Sequence, residues 1–359
     1  MKIMAVNTTA AEVIIVGAGL TGLTLAKNLQ DQDKSFIILE ARDRIGGRIH
    51  TVLTDKGPKV ELGATWFFPH FKNLFSLLKK IHVSLKEQYM KGNTLYDSGE
   101  GMKPRKIWSG GDNDMFRING GTGNIVQTLY GSVGADHVRM GCPVVSVSHH
   151  DGDRVEVVTM DGTVYTAYTV VSTIPPQLLE ASVTFSPPLP AQVTQVMRGT
   201  HTWMGDSVKA VVTYSRAWWK EEGLSGGLYS NEGPVVQMYD QSDDRGAALV
   251  GFLDDSSSRM SKEERERGVI GQLTRVFGNK AADYLEYRDT VWNQEQFTMP
   301  PPNIVSRLPG HANVGHSVYQ REYWGGRLHI AGTETSSRDG GFMEGAVFSA
   351  NTIANRLAD

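Results

Sequence analysis

The chain has 359 residues, a formal net charge of −3 and 40% hydrophobic residues. This length favours two domains, and the near-neutral charge gives no electrostatic case for a nucleic-acid partner. The single cysteine, Cys142, excludes an internal disulfide framework and suits a reducing, cytoplasmic compartment. No apolar stretch reaches about 18 residues, and the N-terminus lacks the pattern of a secretory signal. We therefore expect no membrane span and no membrane partner.

The first predicted elements are a strand, a glycine-rich turn and a helix between Glu12 and Leu29. The β-branched run Val13–Val16 is typical of a strand buried on both faces of a parallel sheet. Glycines in G-x-G-x-x-G spacing follow it, in the turn made of Gly17, Ala18, Gly19, Leu20, Thr21 and Gly22. They permit a tight turn, close approach of a pyrophosphate, and close packing of helix on strand. The helix N-terminus would direct free N–H groups at the phosphates.

A second strand is predicted over residues 35–39, and Glu40 ends it where an acidic ribose ligand belongs. The segment ARDRIGGRIHT then brings a second glycine-arginine cluster. Gly46 and Gly47 would let the backbone approach a ligand, and Arg42 and Arg48 would supply charge-assisted bonds to phosphate. A nicotinamide domain usually needs no such cluster, so a longer, doubly charged ligand is favoured. The alternative is a polar surface turn.

Four segments in chain order resemble the flavin-dependent amine oxidase family, which includes monoamine, polyamine and amino-acid oxidases. The segments are GAGLTGL, LEARDRIGGR, ELGATWF and IAGTETSSRDGGFMEGAVFSA, and the similarity runs from Glu12 to about Leu357. The resemblance implies bound FAD and an α/β, Rossmann-like FAD-binding domain of the GR2 type. It is much less specific for the substrate.

The resemblance also implies which residues bind the cofactor. Glu40, followed by Ala41, would bind the adenosine ribose, and Arg42, Gly47 and Arg48 would lie beside the diphosphate and ribityl chain. The further implied contacts are Gly63, Ala64 and Thr65 against the isoalloxazine ring, Val144 at the adenine, Gly332 and Glu334 near the ribityl and phosphate groups, and Phe342 and Met343 at the flavin. A helix N-terminus at Met343 would stabilise negative charge on the reduced ring.

Lys209 is the residue to which we assign a catalytic role. It matches the family lysine that holds a water against flavin N5. Its neighbours in VKAVVTY are apolar, so its charge should be partly desolvated and its pKa lowered. The alternative is a surface lysine on a strand edge.

Two features depart from the family. Some monoamine oxidases attach FAD to a cysteine a fixed distance after a tryptophan, and counting from Trp292 reaches prolines around Pro301 instead. We therefore expect non-covalent FAD.

The same enzymes flank the flavin with two aromatic rings, of which Phe342 matches one while the other falls at or near Pro302. The predicted substrate-pocket residues are Trp66, Trp292, Phe297 and Phe342.

The domain organisation is predicted to be interleaved. An FAD-binding domain would comprise residues 10–72, 117–212 and 300–359, and a smaller α+β substrate domain residues 73–116 and 213–299. The patterns VKAVVTY, PVVQMY and AALVGFL suit an antiparallel sheet in the substrate domain. A helix should begin after Ser261 with a capping box to Glu264 and end at Gly278.

The substrate domain is shorter than in larger family members, because only about fifty residues separate ELGATWF from INGGTGNIVQTL. The substrate cavity is then shallow, open, or covered by a second copy or another chain. No residue spacing resembles a metal site.

We expect an FAD-dependent oxidoreductase that removes a hydride from the C–N bond of an amine and is reoxidised by dioxygen. The alternatives are a desaturase or dehydrogenase acting on C–C bonds of an apolar substrate, and a flavin-bound scaffold or partner protein with little activity.

Overall fold

The computed structural model describes residues 9–55, 57–108, 114–150, 152–300, 308 and 310–358. In this part of the chain the strands are β1 (Thr9–Val16), β2 (Phe36–Leu39), β3 (Thr51–Leu53), β4 (Lys59–Glu61), β5 (Leu85–Glu87), β6 (Asn93–Asp97), β7 (Arg105–Trp108), β8 (Phe116–Ile118), β9 (Val138–Arg139), β10 (Val144–His149), β11 (Val155–Thr159), β12 (Val164–Ser172), β13 (Thr184–Ser186), β14 (Val208–Tyr214), β15 (Leu224–Ser230), β16 (Val235–Asp240), β17 (Ala247–Leu253), β18 (Glu286–Val291) and β19 (Leu328–Ile330).

The helices alternate with these strands. They are α1 (Leu20–Gln30), α2 (Lys72–Lys80), α3 (Gly123–Val133), α4 (Pro176–Ser182), α5 (Ala191–Arg198), α6 (Trp218–Glu221), α7 (Lys262–Phe277) and α8 (Met343–Ala358). Short 3-10 turns occur at Ala135–His137, Asp255–Arg259, Asn279–Ala282, Trp292–Gln294 and Ser317–Gln320. No helix in the described ranges is long and apolar enough to cross a membrane.

The first sheet has eight strands in the order β13-β10-β11-β12-β1-β2-β9, with β19 paired to the end of β12. Its centre is parallel: β1 lies between β12 and β2, with Ile14 opposite Val170 and Ile37. Both faces are covered, because Ile15 packs in one core with α1, α2, α3 and α8, and Ile14 packs in a second core on the other face. The apolar run Val13–Val16 is thus buried on both sides, as predicted.

The second sheet has seven strands in the order β18-β14-β17-β16-β15-β6-β7. Its pairings are antiparallel except for the parallel pair of β15 with β6. One face packs on α7, where Val269 and Leu273 meet Val208, Ala210 and neighbouring apolar side chains. The opposite face carries Lys209, which reaches Gly63 and Thr65 in the segment between β4 and α2. Two further pairs, β3 with β4 and β5 with β8, complete the sheets.

The local predictions for the individual elements are confirmed. The strand, turn and helix at the N-terminus are β1 and α1, and α7 has the predicted capping box between Ser261 and Glu264 and ends at Gly278. The predicted antiparallel strands are β14, β16 and β17.

The strand pairing differs from the predicted domain bounds at two places. Strand β14 is hydrogen-bonded on both sides within the second sheet, so a boundary after residue 212 cuts through a strand, and a division before Val208 fits better. Helix α2 was assigned to the substrate domain, but its buried Leu74, Leu77 and Leu78 belong to the core of the first sheet. Both differences arise from long-range pairing, which a local pattern does not specify.

Candidate active site

The glycine turn after β1 has the geometry of a phosphate site. Gly17 has a φ of +106°, and a Cβ on Gly22 would lie 2.0 Å from the carbonyl oxygen of Gly17. Helix α1 follows with no side-chain cap at Gly19, and its first described i→i−4 bond runs from the N–H of Leu23 to Gly19. The N–H groups of the first turn therefore lack helical partners and favour an anion.

The second glycine cluster lies directly beside the first. Gly19 and Gly46 form an isolated parallel bridge, and a Cβ on Gly47 would lie 3.5 Å from the Cα of Gly19. A Cβ on Gly19 would meet no other protein atom closer than 4.0 Å, because Gly19 borders a cavity. Two backbones without side chains thus meet at one cavity wall, which fits an extended ligand carrying two phosphates.

Glu40 is buried at the carboxyl end of β2. Its Oε2 accepts the N–H of Ala18 at 2.7 Å, and its Oε1 accepts the N–H of Arg42 at 2.9 Å. The carboxylate therefore fixes both glycine-rich segments, and it also borders the cavity. Each oxygen keeps a second acceptor site, so Glu40 is free to accept a ribose hydroxyl as well.

One cavity of about 880 Å³ extends from the glycine turn to Lys209. The predicted cofactor residues in its wall are Gly17, Gly19, Leu20, Thr21, Glu40, Ala41, Arg42, Gly47, Arg48, Gly63, Ala64, Thr65, Val144, Phe342 and Met343. Four others, Ala18, Gly22, Gly332 and Glu334, lie behind the wall. We expect these four to support the site indirectly rather than to touch the ligand.

Glu334 acts through Arg48. Its carboxylate is fully buried and accepts hydrogen bonds from both terminal nitrogens of Arg48, at 2.5 and 2.9 Å. It also accepts one from the N–H of Trp203 at 3.1 Å. A bidentate pair of this kind holds the guanidinium in one orientation. Arg48 borders the cavity, so Glu334 positions a cation there without lining the cavity itself.

Arg42 borders the cavity and is also held by the segment after β18. Its guanidinium donates to Thr298 Oγ1 at 2.8 Å and to Glu295 Oε2 and the Phe297 carbonyl, each at 3.3 Å. It ties the end of β2 to the segment after β18.

Lys209 is buried on β14 at the far end of the cavity. Its Nζ donates to the carbonyl of Gly63 and to Thr65 Oγ1, and it lies 4.7 Å from the ring centre of Trp66 and 5.3 Å from that of Phe252. Burial lowers the pKa of Lys209 to about 7. The predicted desolvation is confirmed.

A buried acid opposes this shift. The Glu61 carboxylate, on β4, accepts Thr51 Oγ1 at 2.7 Å and the N–H of Thr122 at 2.6 Å. Burial raises the pKa of Glu61, while the charges of Glu61 and Arg117 act on the pKa of Lys209 in opposite directions. The lysine therefore belongs to a buried group of charges, and we expect its proton to be labile near neutral pH.

The four predicted pocket aromatics, Trp66, Trp292, Phe297 and Phe342, all border the cavity. Trp292 is held by a 2.9 Å bond from its Nε1 to the Leu62 carbonyl. Trp203, Phe252 and Tyr239 also line the cavity and were not predicted. The alternation of AALVGFL contained a signal for Phe252, whereas Trp203 lies in an irregular segment with none.

Trp203 lies next to the predicted aromatic, Phe342. The two ring centres are 5.6 Å apart, and His311 stacks on Trp203 at 4.1 Å. The position predicted to lack the second flanking ring, Pro302, lies outside the described residues, as does Pro301. Trp203 is therefore a candidate for the missing aromatic wall.

Cys142 borders the cavity beside Val144, far along the chain from the residues at Lys209. Burial raises the pKa of its thiol, which keeps the sulfur in its unreactive form. Within the described ranges, no group of three or more histidine, cysteine or acidic side chains is placed to hold a metal ion.

Comparisons with known proteins identify a family and related chains. The sequence profile of the family described as "Flavin containing amine oxidoreductase" matches residues 20–111 and 106–358. Flavin-containing amine oxidase B of Sus scrofa is 25% identical over 459 residues, covering 96% of this chain and 86% of the relative. A probable flavin-containing monoamine oxidase A of Dictyostelium discoideum is 30% identical over 255 residues, covering 68% of this chain and 53% of the relative.

Two solved structures share the fold. Putrescine oxidase bound to putrescine has a TM-score of 0.84 and 22% identity, covering 98% of this chain and 100% of that chain. Cyclohexylamine oxidase from Brevibacterium oxydans IH-35A has a TM-score of 0.84 and 20% identity, covering 97% and 98% of the two chains.

The alignment with the Sus scrofa enzyme spans 459 positions, about 100 more than the 359 residues of this chain. That relative therefore contains segments with no counterpart here. The family profile covers most of the chain, including most of the residues that line the cavity. The chain belongs to the flavin-containing amine oxidoreductase family.

Proposed function

We propose that the protein binds FAD non-covalently in this cavity and oxidises the C–N bond of an amine. The observation that carries the proposal is the continuity of the cavity from the phosphate-type glycine turn to the buried Lys209. A site for two phosphates and an acid for a ribose thus share one cavity with a desolvated lysine and several aromatic rings. The residues present fit FAD.

Bound FAD would supply the two-electron oxidation of the amine to an imine, which water hydrolyses, while dioxygen is reduced to hydrogen peroxide. The chain binds and orients the reactants. The first turn of α1 would hold the diphosphate, Glu40 would accept a ribose hydroxyl, and Arg48 would supply a fixed positive charge. The aromatic side chains exclude water from the reacting amine.

Lys209 would hold a water molecule beside the reactive part of the cofactor. Its Nζ has three protons when charged, and two described acceptors, Gly63 and Thr65, engage two of them. A pKa near 7 lets this Nζ gain or lose a proton at neutral pH. The lysine is therefore suited to proton transfer as well as to holding water.

Non-covalent attachment is tested by acid precipitation. Because Cys142 lies beside Val144 and has a raised thiol pKa, we expect the yellow colour of the purified protein to remain in the supernatant. Colour that stays in the protein pellet after washing would show a covalent bond. A cytoplasmic location, which we infer from the single cysteine, belongs to the same proposal.

The reaction class is tested by hydrogen peroxide release from a panel of amines under air. We expect peroxide with amines and none with saturated apolar compounds that lack nitrogen. Oxidation of such a compound at a C–C bond would instead support a desaturase, which the aromatic cavity wall also suits. A yellow protein that no donor reduces would support a scaffold role.

A further inference from the structure

A continuous row of side chains crosses the second sheet from Lys209 to its exposed edge. Directly paired positions on neighbouring strands are Lys209 with Phe252, Phe252 with Gln237, Gln237 with Tyr229, Tyr229 with Tyr96, and Tyr96 with Arg105. Residues paired in this way lie on the same face of a sheet. With about 4.8 Å between strands, the row is about 24 Å long.

The row starts inside the cavity and leaves it. Lys209, Phe252 and Gln237 line the cavity, and Tyr229 is joined to it by a 2.8 Å bond between its hydroxyl and that of the cavity residue Tyr239. Lys209 is 2% exposed and Tyr229 is 40% exposed, while Tyr96 is half-buried and Arg105 is exposed. Neighbouring positions on these strands, among them Ala210, Leu253, Met238, Leu228 and Leu95, pack instead in the core with α7.

Both ends of the row already hold a cation over an aromatic ring. The Lys209 Nζ lies 5.3 Å from the Phe252 ring centre, and the Arg105 guanidinium lies 5.3 Å from that of Tyr96. The row itself contains no carboxylate. A second positive charge on a ligand would therefore meet two like charges and no acid.

The acidic side chain that the structure describes in the cavity wall lies at the other end of the cavity from the row. Glu40 is the carboxylate among the cavity-lining residues that the structure describes, and it accepts two backbone N–H groups at the opposite end, beside the glycine turn. Among the described residues of the row and the cavity wall, an amine bound near Lys209 thus finds aromatic and amide groups along the sheet and no carboxylate at its distal end.

We propose that this row is the binding track for the distal part of the substrate, and that it selects amines with a long apolar or aromatic body and a single positive charge. This inference rests on the proposed amine oxidation and deepens it. The reacting amine would lie at the Lys209 end, and the tail would run over Phe252, Gln237 and Tyr229 towards Tyr96.

Three matched amines test the inference: butylamine, octylamine and 1,8-diaminooctane. We expect kcat/KM for octylamine to exceed that for butylamine by at least about tenfold, because four more methylene groups leave water on the row. We expect 1,8-diaminooctane, of equal length, to be at least about tenfold poorer than octylamine, because its second ammonium has no acidic partner.

Variants locate the effect on the row. Tyr229→Ala should abolish most of the difference in kcat/KM between octylamine and butylamine. Tyr168→Ala is the matched control, because Tyr168 is 46% exposed on the first sheet and carries a similar cation–π contact with Arg154 at 4.4 Å. Gln237→Glu should raise kcat/KM for 1,8-diaminooctane relative to that for octylamine by about tenfold, whereas the neutral Gln237→Met should not change this ratio.

Binding without turnover separates this inference from the proposed function. Amines dimethylated on the α carbon have no hydrogen to lose there, so calorimetry with the octyl and butyl forms measures affinity alone, and the same tenfold ratio is expected. If no amine yields peroxide, the proposed function fails, while calorimetry still tests whether the row binds the tail of the amine. Equal kcat/KM for all three amines would overturn the inference. A Tyr229→Ala variant that alters only the oligomeric state would also overturn it.

Discussion

Lys209 lies where strand β14 meets the segment between β4 and α2. Its Nζ bonds to Gly63 and Thr65, which precede α2, while Trp66 and Phe252 enclose it with their rings. An unpaired ammonium would be costly at such a depth. Its partners and the nearby Glu61 keep the group in place, and this explains how a lysine is retained in an apolar strand.

Lys209→Met tests whether the lysine serves the chemistry or cofactor retention. The substitution keeps most of the side-chain volume and removes the charge, so we expect FAD content near that of the wild type. Reoxidation by dioxygen after chemical reduction should slow by at least about tenfold, which corresponds to about 1.4 kcal/mol. Stopped-flow mixing with oxygenated buffer measures this rate and requires no known substrate.

Lys80→Met is the matched control, because the Lys80 side chain is 49% exposed and pairs with Asp31 on the surface. It should reoxidise at the wild-type rate. A wild-type rate in the Lys209 variant would reduce Lys209 to a structural lysine, and loss of FAD would show that β14 supports cofactor binding instead.

The lowered pKa of Lys209 also predicts a pH dependence of stability. The folded-state pKa of Lys209, about 7, lies below the ordinary lysine pKa of 10.5, so between these values the unfolded chain binds more protons. Stability must then rise with pH in this window, by up to about 1.4 kcal/mol per pH unit. We expect the free energy of unfolding of the wild type, minus that of Lys209→Met, to increase from pH 7 to pH 9 in urea titrations. A flat or falling difference would contradict the burial of the charge.

At the scale of elements, the contact between β1 and α1 sets the shape of the phosphate site. Gly22→Ala would place a Cβ 2.0 Å from the Gly17 carbonyl oxygen, so the helix must move away from the strand. We expect a lower melting temperature and reduced FAD content in the purified variant, measured by thermal unfolding and by the ratio of flavin to protein absorbance.

Gly271→Ala provides the comparison for this prediction. Gly271 also lies within a helix, α7, but a Cβ there would meet nothing within 4 Å. Alanine has the higher helix propensity, by about 1 kcal/mol, so the melting temperature should rise slightly with unchanged FAD content. Equal behaviour of the two variants would show that close packing at Gly22 is not required.

Elements with strong local signals could be predicted from the sequence. The apolar run of β1, the glycine turn and the capping box of α7 each depend on residues close together in the chain. Strand β15 was not predicted, because Gly226 and Gly227 interrupt its pattern. Its place in the sheet depends on pairing with β16 and β6.

At the scale of the whole molecule, the site depends on contacts that the sequence order conceals. Arg48 and Glu334 are 286 positions apart, and Lys209 and Gly63 are 146 apart. Family resemblance located these residues, but their pairing, the contribution of Trp203 to the cavity, and the register that aligns Gln237 with Phe252 required the fold. A pattern with period two predicts which face a residue occupies and not its cross-strand neighbour.

The central claim is that an amine in this cavity reduces the bound FAD. Anaerobic mixing of the purified yellow protein with a panel of alkyl, aryl and cyclic amines tests it most directly, by following flavin absorbance. We predict that at least one monoamine bleaches the flavin and that admission of air restores the colour with release of hydrogen peroxide. A flavin that chemical reductants bleach, but that no amine, amino acid or polyamine reduces, would contradict the account.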